Sequence, residues 1–414
     1  MVAYVEPRRA DTSERMRAGR GFAVVAAAMF LVLAGANVPT PLYDVYRRAW
    51  GFSPLEMTAV FAMYPLSLVG TLLGFARFAD RFGRRPVLLA AVLASIAGSG
   101  AFAMANGPSW LFGARLLQAV AVGLLSAAAT AALVELEPNA DRRRATVVAT
   151  IALAFGTASG PLVSGLLVQF APAPLVVPFA LHAALSLPLL AALAVWLHET
   201  APSPRARDWR PRIPRLEASV AVPLLIAGLT SGLGWAVAAL FISVVPSYLR
   251  IELGLGSAAF AGAVAFATLA TSAVVQLRLG SIGERRAIAT GLVCCVAGVG
   301  VLVLAVPLHS TWLLAVAVLG CGTGHALALV GSLALANRVA PAAARGEAIS
   351  LFYAITYLVV GVPIVGIGVV ASATGFFAGF VAFFAFLVIA AAAVLAALSR
   401  TSAGREPQAA RPSG

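Results

Sequence analysis

Twelve long apolar runs dominate this 414-residue chain and constrain its fold more than any other feature. Each run is close to the roughly 20 residues that one α-helix needs to cross a bilayer. The chain is 61% hydrophobic and only 11% charged, so it has too few charges to cover a surface that faces water. We therefore expect an all-α membrane protein with twelve transmembrane helices. The runs lie near 21–43, 57–77, 87–106, 110–134, 145–169, 175–197, 220–246, 258–277, 287–306, 311–336, 348–371 and 375–398.

The positions of the arginines predict how the chain is oriented. It contains no lysine, and 25 of its 29 basic residues fall in the two ends and in alternate connections. All 25 lie on one side of the membrane if both termini lie there. Cytoplasmic loops are enriched in positive charge, so we expect both termini in the cytoplasm and the protein in the plasma or inner membrane. This topology accounts for the pI near 11.0 without a nucleic-acid partner.

The two halves of the chain resemble each other at an offset of about two hundred residues. The segment Gly83–Arg85 has a counterpart at 283–286, and Gly160–Pro161 has one at 361–363. Parallel repeats of this kind are a recurrent plan of transporters, with the substrate path between the repeats. We predict a cytoplasmic N-terminal tail (1–20), an N-terminal six-helix bundle (21–197), a cytoplasmic linker (198–219), a C-terminal six-helix bundle (220–398) and a cytoplasmic C-terminal tail (399–414).

The connection between the second and third runs holds the most specific motif. Residues 79–86 read ADRFGRRP, which resembles the signature GxLaDrxGrkxxl of the major facilitator superfamily, with Ala76 at the leading glycine. The resemblance implies the major facilitator fold, in which two pseudo-symmetric six-helix bundles flank the pathway. It also implies a cytoplasmic latch that biases alternating access between two states. The latch residues implied here are Asp80, Arg81, Gly83, Arg84 and Arg85, with Glu135 at the end of the fourth span and Arg144 beyond it.

Arg115 is a charged residue within the fourth run. An arginine well inside a span costs at least about 2.5 kcal/mol on insertion scales, so it is a functional candidate that needs a partner. With Gln118 it resembles the second family motif, lxxxRxxqGxg, whose arginine is implicated in proton coupling in proton-coupled branches of the family. The alternative is an arginine that extends its side chain to the outer membrane interface.

A stripe of small residues marks the fifth run. Small residues let helices approach closely, and a proline removes one internal hydrogen bond and allows a kink. The stripe resembles the family motif gxxxGPxxGG, with Ser164 at one glycine, and that motif is associated with exporters that act as antiporters. The implied kink residues are Gly156, Gly160, Pro161 and Gly165.

Other polar groups within the runs are candidates for coupling or for substrate contacts. His325 titrates near neutral pH when exposed, although a hydrogen-bonded structural histidine is the simpler interpretation. The acidic residues lie in loops, tails or at span boundaries, and the nearest to the membrane interior are Asp44 and Glu56. A cavity without a buried carboxylate disfavours strongly cationic cargo. The remaining candidates are Asn37, Tyr64, Trp235, Tyr353 and Tyr357.

The expected function is secondary active transport. Without lysine the chain has no P-loop lysine, and we find no HExxH motif and no Cys/His cluster, so we expect no enzyme activity, no metal and no cofactor. The resemblance implies the drug:proton antiporter branch, in which the proton gradient drives efflux of a small hydrophobic, neutral or anionic compound. We expect a monomer in the lipid bilayer that binds a small-molecule substrate. The alternatives are an importer of a metabolite such as a sugar or organic acid, and a transport-inactive membrane sensor.

Overall fold

The structure is a computed structural model, and it describes residues 12–75, 78–200, 218–251, 254, 256–279, 282–341 and 345–403. Within these ranges the chain forms fifteen α-helices and no β-strand. Twelve helical spans are long and apolar enough to cross a membrane, which confirms the predicted number. The helices are α1 (Thr12–Asn37), α2 (Leu42–Trp50), α3 (Pro54–Phe75), α4 (Phe78–Phe82), α5 (Arg84–Ala103), α6 (Pro108–Leu136), α7 (Arg142–Phe170), α8 (Val177–Trp196), α9 (Ala218–Ser243), α10 (Val245–Ile251), α11 (Ala258–Leu279), α12 (Glu284–Ala305), α13 (Thr311–Val339), α14 (Arg345–Thr374) and α15 (Phe376–Ala403).

The helices extend beyond several of the apolar runs. Helix α1 begins at Thr12 and α15 ends at Ala403, so parts of the predicted tails 1–20 and 399–414 are helical. Apolar runs mark only the segment that faces hydrocarbon, whereas a helix continues into water wherever its residues favour helix. The rest of both tails, and residues 201–217 of the predicted linker, lie outside the described residues.

The exterior of the helical bundle is apolar. Large side chains such as Trp312, Phe170 and Ile389 are 81%, 74% and 70% exposed. Helices satisfy their backbone hydrogen bonds internally, so an apolar exterior on helices fits a lipid solvent. Lipid therefore replaces water around most of this fold.

The helix ends define two faces of the protein. We call the arginine-rich face the side where α1, α5 and α7 begin, and the opposite face the side where these helices end. Within the first half α1 packs against α6, α7 and α8, and within the second half α9 packs against α13 and α14. The halves meet mainly along two helix pairs, α3 with α14 and α7 with α11. The space between these two pairs is the centre of the molecule.

The two halves are joined at the opposite face. The Leu55 backbone N–H donates to Ser372 Oγ at 3.0 Å. Gln169 Oε1 accepts hydrogen bonds from Ser257 Oγ and from the Ala259 backbone N–H. The hydrogen bonds described between the halves lie near this face. The structure is therefore a conformation that is closed at the opposite face.

Candidate functional site

A central cavity of about 340 Å³ lies between the two halves. Helices α1, α3, α6 and α7 of the first half and α9 and α14 of the second half supply its wall. The lining begins at Arg115 and Phe61, nearer the opposite face, and continues along α6 to Thr130. Six of the candidates predicted from the sequence line the cavity, namely Asn37, Tyr64, Arg115, Trp235, Tyr353 and Tyr357.

The cavity wall is largely apolar with a few separated polar groups. Leucine, valine, alanine and aromatic side chains form most of it, and hydroxyl groups come from residues such as Ser126, Thr130 and Thr157. Arg115 is the one charged side chain among the described lining residues, and none of them is a carboxylate. An apolar wall with few placed polar groups is typical of sites for small molecules.

Arg115 caps the end of helix α1. The last carbonyls of a helix have no partner within the helix, and two of them face α6 here. Arg115 Nη1 donates to the Ala36 carbonyl and to Gln118 Oε1, both at 2.7 Å, and Gln118 Nε2 donates to the Gly35 carbonyl at 2.8 Å. The negative end of the α1 dipole also favours a cation at this position. Both predicted residues of the second motif thus connect α6 to α1.

Aromatic rings surround the Arg115 guanidinium. Its Cζ lies 5.3 Å from the ring centroid of Tyr43, 5.6 Å from that of Tyr64, and 5.9 Å from those of Phe61 and Phe102. Cations over aromatic faces within about 6 Å are attracted by the ring quadrupole. The side chain is 2% exposed, so it points into the bundle and does not reach the membrane interface. No described carboxylate forms an ion pair with it.

The two histidines inside the spans differ in their hydrogen bonds. His182 Nε2 contacts the Leu31 carbonyl at 2.9 Å and its Nδ1 contacts Ser99 Oγ at 2.7 Å, so both nitrogens are satisfied. His325 Nδ1 contacts Ser272 Oγ at 2.8 Å, but its buried Nε2 has no hydrogen-bond partner. The His325 ring packs edge-on against Trp235 at a centroid distance of 4.4 Å. His325 therefore lies directly behind a residue of the cavity wall.

The two carboxylates closest to the membrane interior do not line the cavity. Asp44 is buried in α2 and forms ion pairs with Arg47 at 3.6 Å and Arg48 at 3.3 Å. Glu56 is exposed at the start of α3, where its Oε2 accepts hydrogen bonds from the Ser53 backbone and hydroxyl groups. Both residues lie near the opposite face.

The structure brings two of the predicted latch residues together at the arginine-rich face. Arg84 Nη2 lies 3.5 Å from Glu135 Oε1, which joins the start of α5 to the end of α6. A third partner that the sequence analysis missed comes from the segment after α8. Glu199 accepts hydrogen bonds from the backbone N–H groups of Arg84 at 2.7 Å and Arg85 at 3.2 Å, and so caps the N-terminus of α5. Thr200 Oγ1 donates to Glu135 Oε2.

Gly83 allows this cap to form. Its φ of +95° is a backbone conformation that residues with a Cβ rarely adopt. A Cβ at this position would also collide with the Glu199 carboxylate. Arg85 Nη2 donates to the Ala194 carbonyl at 2.6 Å, and Arg81 lies over the Phe82 ring. Glu135, Ala194, Glu199 and Thr200, the partners described above, belong to the first half. The side chain of Asp80 lies outside the described residues.

Arg144 pairs with a different carboxylate from Glu135. Its Nη1 lies 3.0 Å from Oε1 of Glu137, whose side chain is fully buried. Glu137 Oε2 also accepts hydrogen bonds from the backbone N–H groups of Asn139 and Asp141. Glu137 thus organises the turn between α6 and α7, and no single-sequence pattern distinguished it from Glu135.

The glycines of the fifth span lie at close helix contacts. A Cβ on Gly156 or Gly160 would collide with backbone atoms of α1, at Phe30 and Ala34. A Cβ on Gly165 would collide with the Ala258 carbonyl of α11, and the Pro161 carbonyl lies against Gly262 in the same helix. The motif therefore packs one edge of α7 on its own half and the other on the second half.

The fold and its central cavity define a membrane transporter. A family model described as Major Facilitator Superfamily matches residues 25–363, so the chain belongs to this family. It is a transporter and not an enzyme.

Two curated relatives carry names that refer to export or resistance. The chain is 30% identical over 160 residues to the cephamycin export protein CmcT of Amycolatopsis lactamdurans, covering 38% of this chain and 33% of that protein. It is 34% identical over 152 residues to the puromycin resistance protein pur8 of Streptomyces alboniger, covering 36% of this chain and 30% of that protein. The matches thus span about a third of the length of these relatives.

Solved structures share the fold at low sequence identity. A bacterial homologue of the human lysosomal transporter Spinster, in an inward-facing and unoccupied conformation, superposes with a TM-score of 0.77 at 15% identity, covering 97% of this chain and 100% of that one. A mutant of the peptide transporter POT superposes with a TM-score of 0.74 at 17% identity, covering 94% and 99%. These likenesses confirm the predicted major facilitator fold.

Proposed function

We propose that this transporter exports a small, hydrophobic, neutral or anionic compound and that the proton gradient drives the export. The observation that carries the proposal is the composition of the central cavity, which is apolar with Arg115 as its one described charge. A cation would lose its hydration there without gaining a counter-charge. The names of the two curated relatives favour export over import.

The way the halves meet supports alternating access as the proposed mechanism. They are hydrogen-bonded at the opposite face, while the cavity lining extends along α6 towards the arginine-rich face. In the proposed orientation, which the positive-inside rule supports, the arginine-rich face and both termini lie in the cytoplasm. Cargo then enters the cavity from the cytoplasm, and a rigid-body movement of one half against the other opens the opposite face.

His325 is the proposed proton carrier. It is buried beside the cavity wall, and its Nε2 has no hydrogen-bond partner. Asp44 and Glu56 are engaged away from the cavity. Protonation of His325 would change its contact with Trp235 and thereby connect proton binding to the cargo site.

The test is export in cells that lack their own exporters. Cells that express the protein should tolerate some members of a panel of toxic hydrophobic compounds better than control cells, and an uncoupler should abolish this protection. Ala129 lines the cavity, so Ala129→Trp should fill it and remove protection. Ala180 is exposed on α8, so Ala180→Trp is the matched control that keeps protection. Accumulation of the compounds instead of protection would overturn the proposal in favour of an importer.

A further inference from the structure

The guanidinium of Arg115 has one edge in use and one edge open. Nη1 makes both of its described hydrogen bonds, to the Ala36 carbonyl and to Gln118 Oε1. Nε is buried without a hydrogen-bond partner, and neither described hydrogen bond of the guanidinium uses Nη2. Arg115 also lines the central cavity. The Nε–Nη2 edge therefore carries parallel N–H donors without a described acceptor, on a residue of the cavity wall.

The open edge matches one chemical group especially well. The Nε and Nη2 donors of arginine fit the two oxygens of a carboxylate in a bidentate pair. Four rings surround the guanidinium, Arg115 is 2% exposed, and no described lining residue supplies a negative charge. A buried cation without a counter-ion is costly. A carboxylate on the cargo would supply the missing charge and both acceptors.

Gln118 positions this edge. It accepts a hydrogen bond from Arg115 Nη1 and donates one to the Gly35 carbonyl, so it holds the guanidinium by the nitrogen that faces α1. The Nε–Nη2 edge then has no described protein acceptor. Gln118 does not line the cavity itself, so it acts through Arg115.

The rest of the cavity wall suits a flat apolar body. Tyr353 and Tyr357 stack with their ring centroids 6.3 Å apart, and Tyr64 and Trp235 also line the cavity. Offset stacking and edge-to-face contacts favour aromatic partners on such surfaces. The volume of about 340 Å³ limits the cargo to a small molecule.

We propose that the cavity binds aromatic monocarboxylates, with the carboxylate on the Nε–Nη2 edge of Arg115 and the ring system against the tyrosines and Trp235. This inference rests on the proposed function, because it takes the cavity as the cargo site, and it narrows the cargo to one chemical class. Charge and hydrogen-bond geometry at Arg115 then select the cargo, while the apolar wall tolerates different ring systems.

The test is equilibrium binding without a gradient, using pyrenebutyrate and its neutral primary amide as probes. The full-length protein is held in lipid nanodiscs, probe fluorescence reports binding, and empty nanodiscs correct for partition into lipid. The wild type should bind the carboxylate at least about tenfold more tightly than the amide. Arg115→Gln should remove this preference, and Arg115→Lys should retain only part of it. Arg143 is exposed on α7, so Arg143→Gln is the matched control that keeps the full preference.

Each outcome of the binding experiment tests the inference independently of the proposed efflux function. If the wild type binds the acid and the amide equally, or binds neither, the inference is overturned without any variant. A preference that persists in folded Arg115→Gln protein also overturns it. Uncoupler-sensitive protection of cells can still hold in those cases. Conversely, a preference that depends on Arg115 in a protein that protects no cells supports the anion site and counts against efflux.

Discussion

Each half of the protein joins the same two helix ends with one ion pair, but the charges are reversed. In the first half Arg84 begins α5 and pairs with Glu135, one residue before the end of α6. In the second half Glu284 begins α12 and pairs with Arg338, one residue before the end of α13. The halves thus keep the position of the pair and exchange its polarity.

The reversal changes how well each pair fits its helices. Acidic groups are favoured at helix N-termini and basic groups at C-termini. Glu284 and Arg338 follow this rule and make a bidentate contact, with nitrogen–oxygen distances of 2.6 and 2.9 Å. Arg84 and Glu135 oppose the rule and approach only to 3.5 Å. The second pair is therefore the more stable structural contact.

The first pair depends on additional partners from the segment that follows α8. Glu199 supplies the negative charge at the N-terminus of α5, and Thr200 hydrogen-bonds Glu135. An ion pair that opposes both helix dipoles is easier to break when the surroundings change. We call Arg84, Glu135, Glu199 and Thr200 the first-half cluster. We infer that this cluster rearranges between conformations, while the Glu284–Arg338 pair holds its half together.

The largest expected effect comes from the glycines that precede the two pairs. Gly83→Ala places a Cβ in a backbone region used almost only by glycine, which costs about 1–3 kcal/mol, and it displaces the Glu199 carboxylate. We expect a clear fall in the melting temperature of the purified protein and loss of transport. Gly283 has an ordinary φ of −55° and nothing within 4 Å, so Gly283→Ala is the matched control with little effect. Equal effects of the two substitutions would refute the asymmetry.

Neutralising one arginine of each pair should separate stability from transport. Arg338→Gln removes a bidentate contact and should lower the free energy of unfolding by about 1 kcal/mol while transport continues. Arg84→Gln should change stability by less than about 0.5 kcal/mol but reduce transport severalfold, because it alters the cluster that rearranges. Denaturation in detergent and efflux from cells measure the two quantities. If Arg338→Gln reduced transport and Arg84→Gln reduced stability, the second-half pair would be the one that rearranges.

The buried histidines extend the comparison to the membrane interior. His325→Gln should leave the protein folded and leave cargo binding within about twofold, yet remove the dependence of transport on the proton gradient. His182→Gln should instead lower stability by about 1 kcal/mol, because Ser99 and the Leu31 carbonyl lose a partner. Cargo-driven proton release from inverted vesicles distinguishes the two. Proton coupling that survives in His325→Gln would exclude this residue as the carrier.

The apolar runs of the sequence predicted the membrane spans, because hydrocarbon requires an apolar run at each crossing. Arg115 was also identifiable, since a single charge inside such a run needs a partner. The partners themselves were not predictable. Glu199 meets Arg84 across more than a hundred residues, and only the packing of α8 beside α5 brings them together. Likewise, Glu135 and Glu137 are two residues apart in the sequence, and the fold alone decides which of them binds Arg144.

The smallest expected effect tests the contribution of Thr200, in the segment after α8. Thr200→Val keeps the shape of the side chain but removes the hydrogen bond to Glu135. Exposed hydrogen bonds contribute modestly, so we expect a loss of less than about 0.5 kcal/mol in stability and a larger relative change in transport rate than in stability. Thr146 is exposed on α7, and Thr146→Val, which removes only a hydrogen bond to its own helix, serves as the control. If Thr200→Val changes neither quantity more than the control does, Glu135 does not need this partner. Glu199 is then the additional residue that supports the Arg84–Glu135 pair.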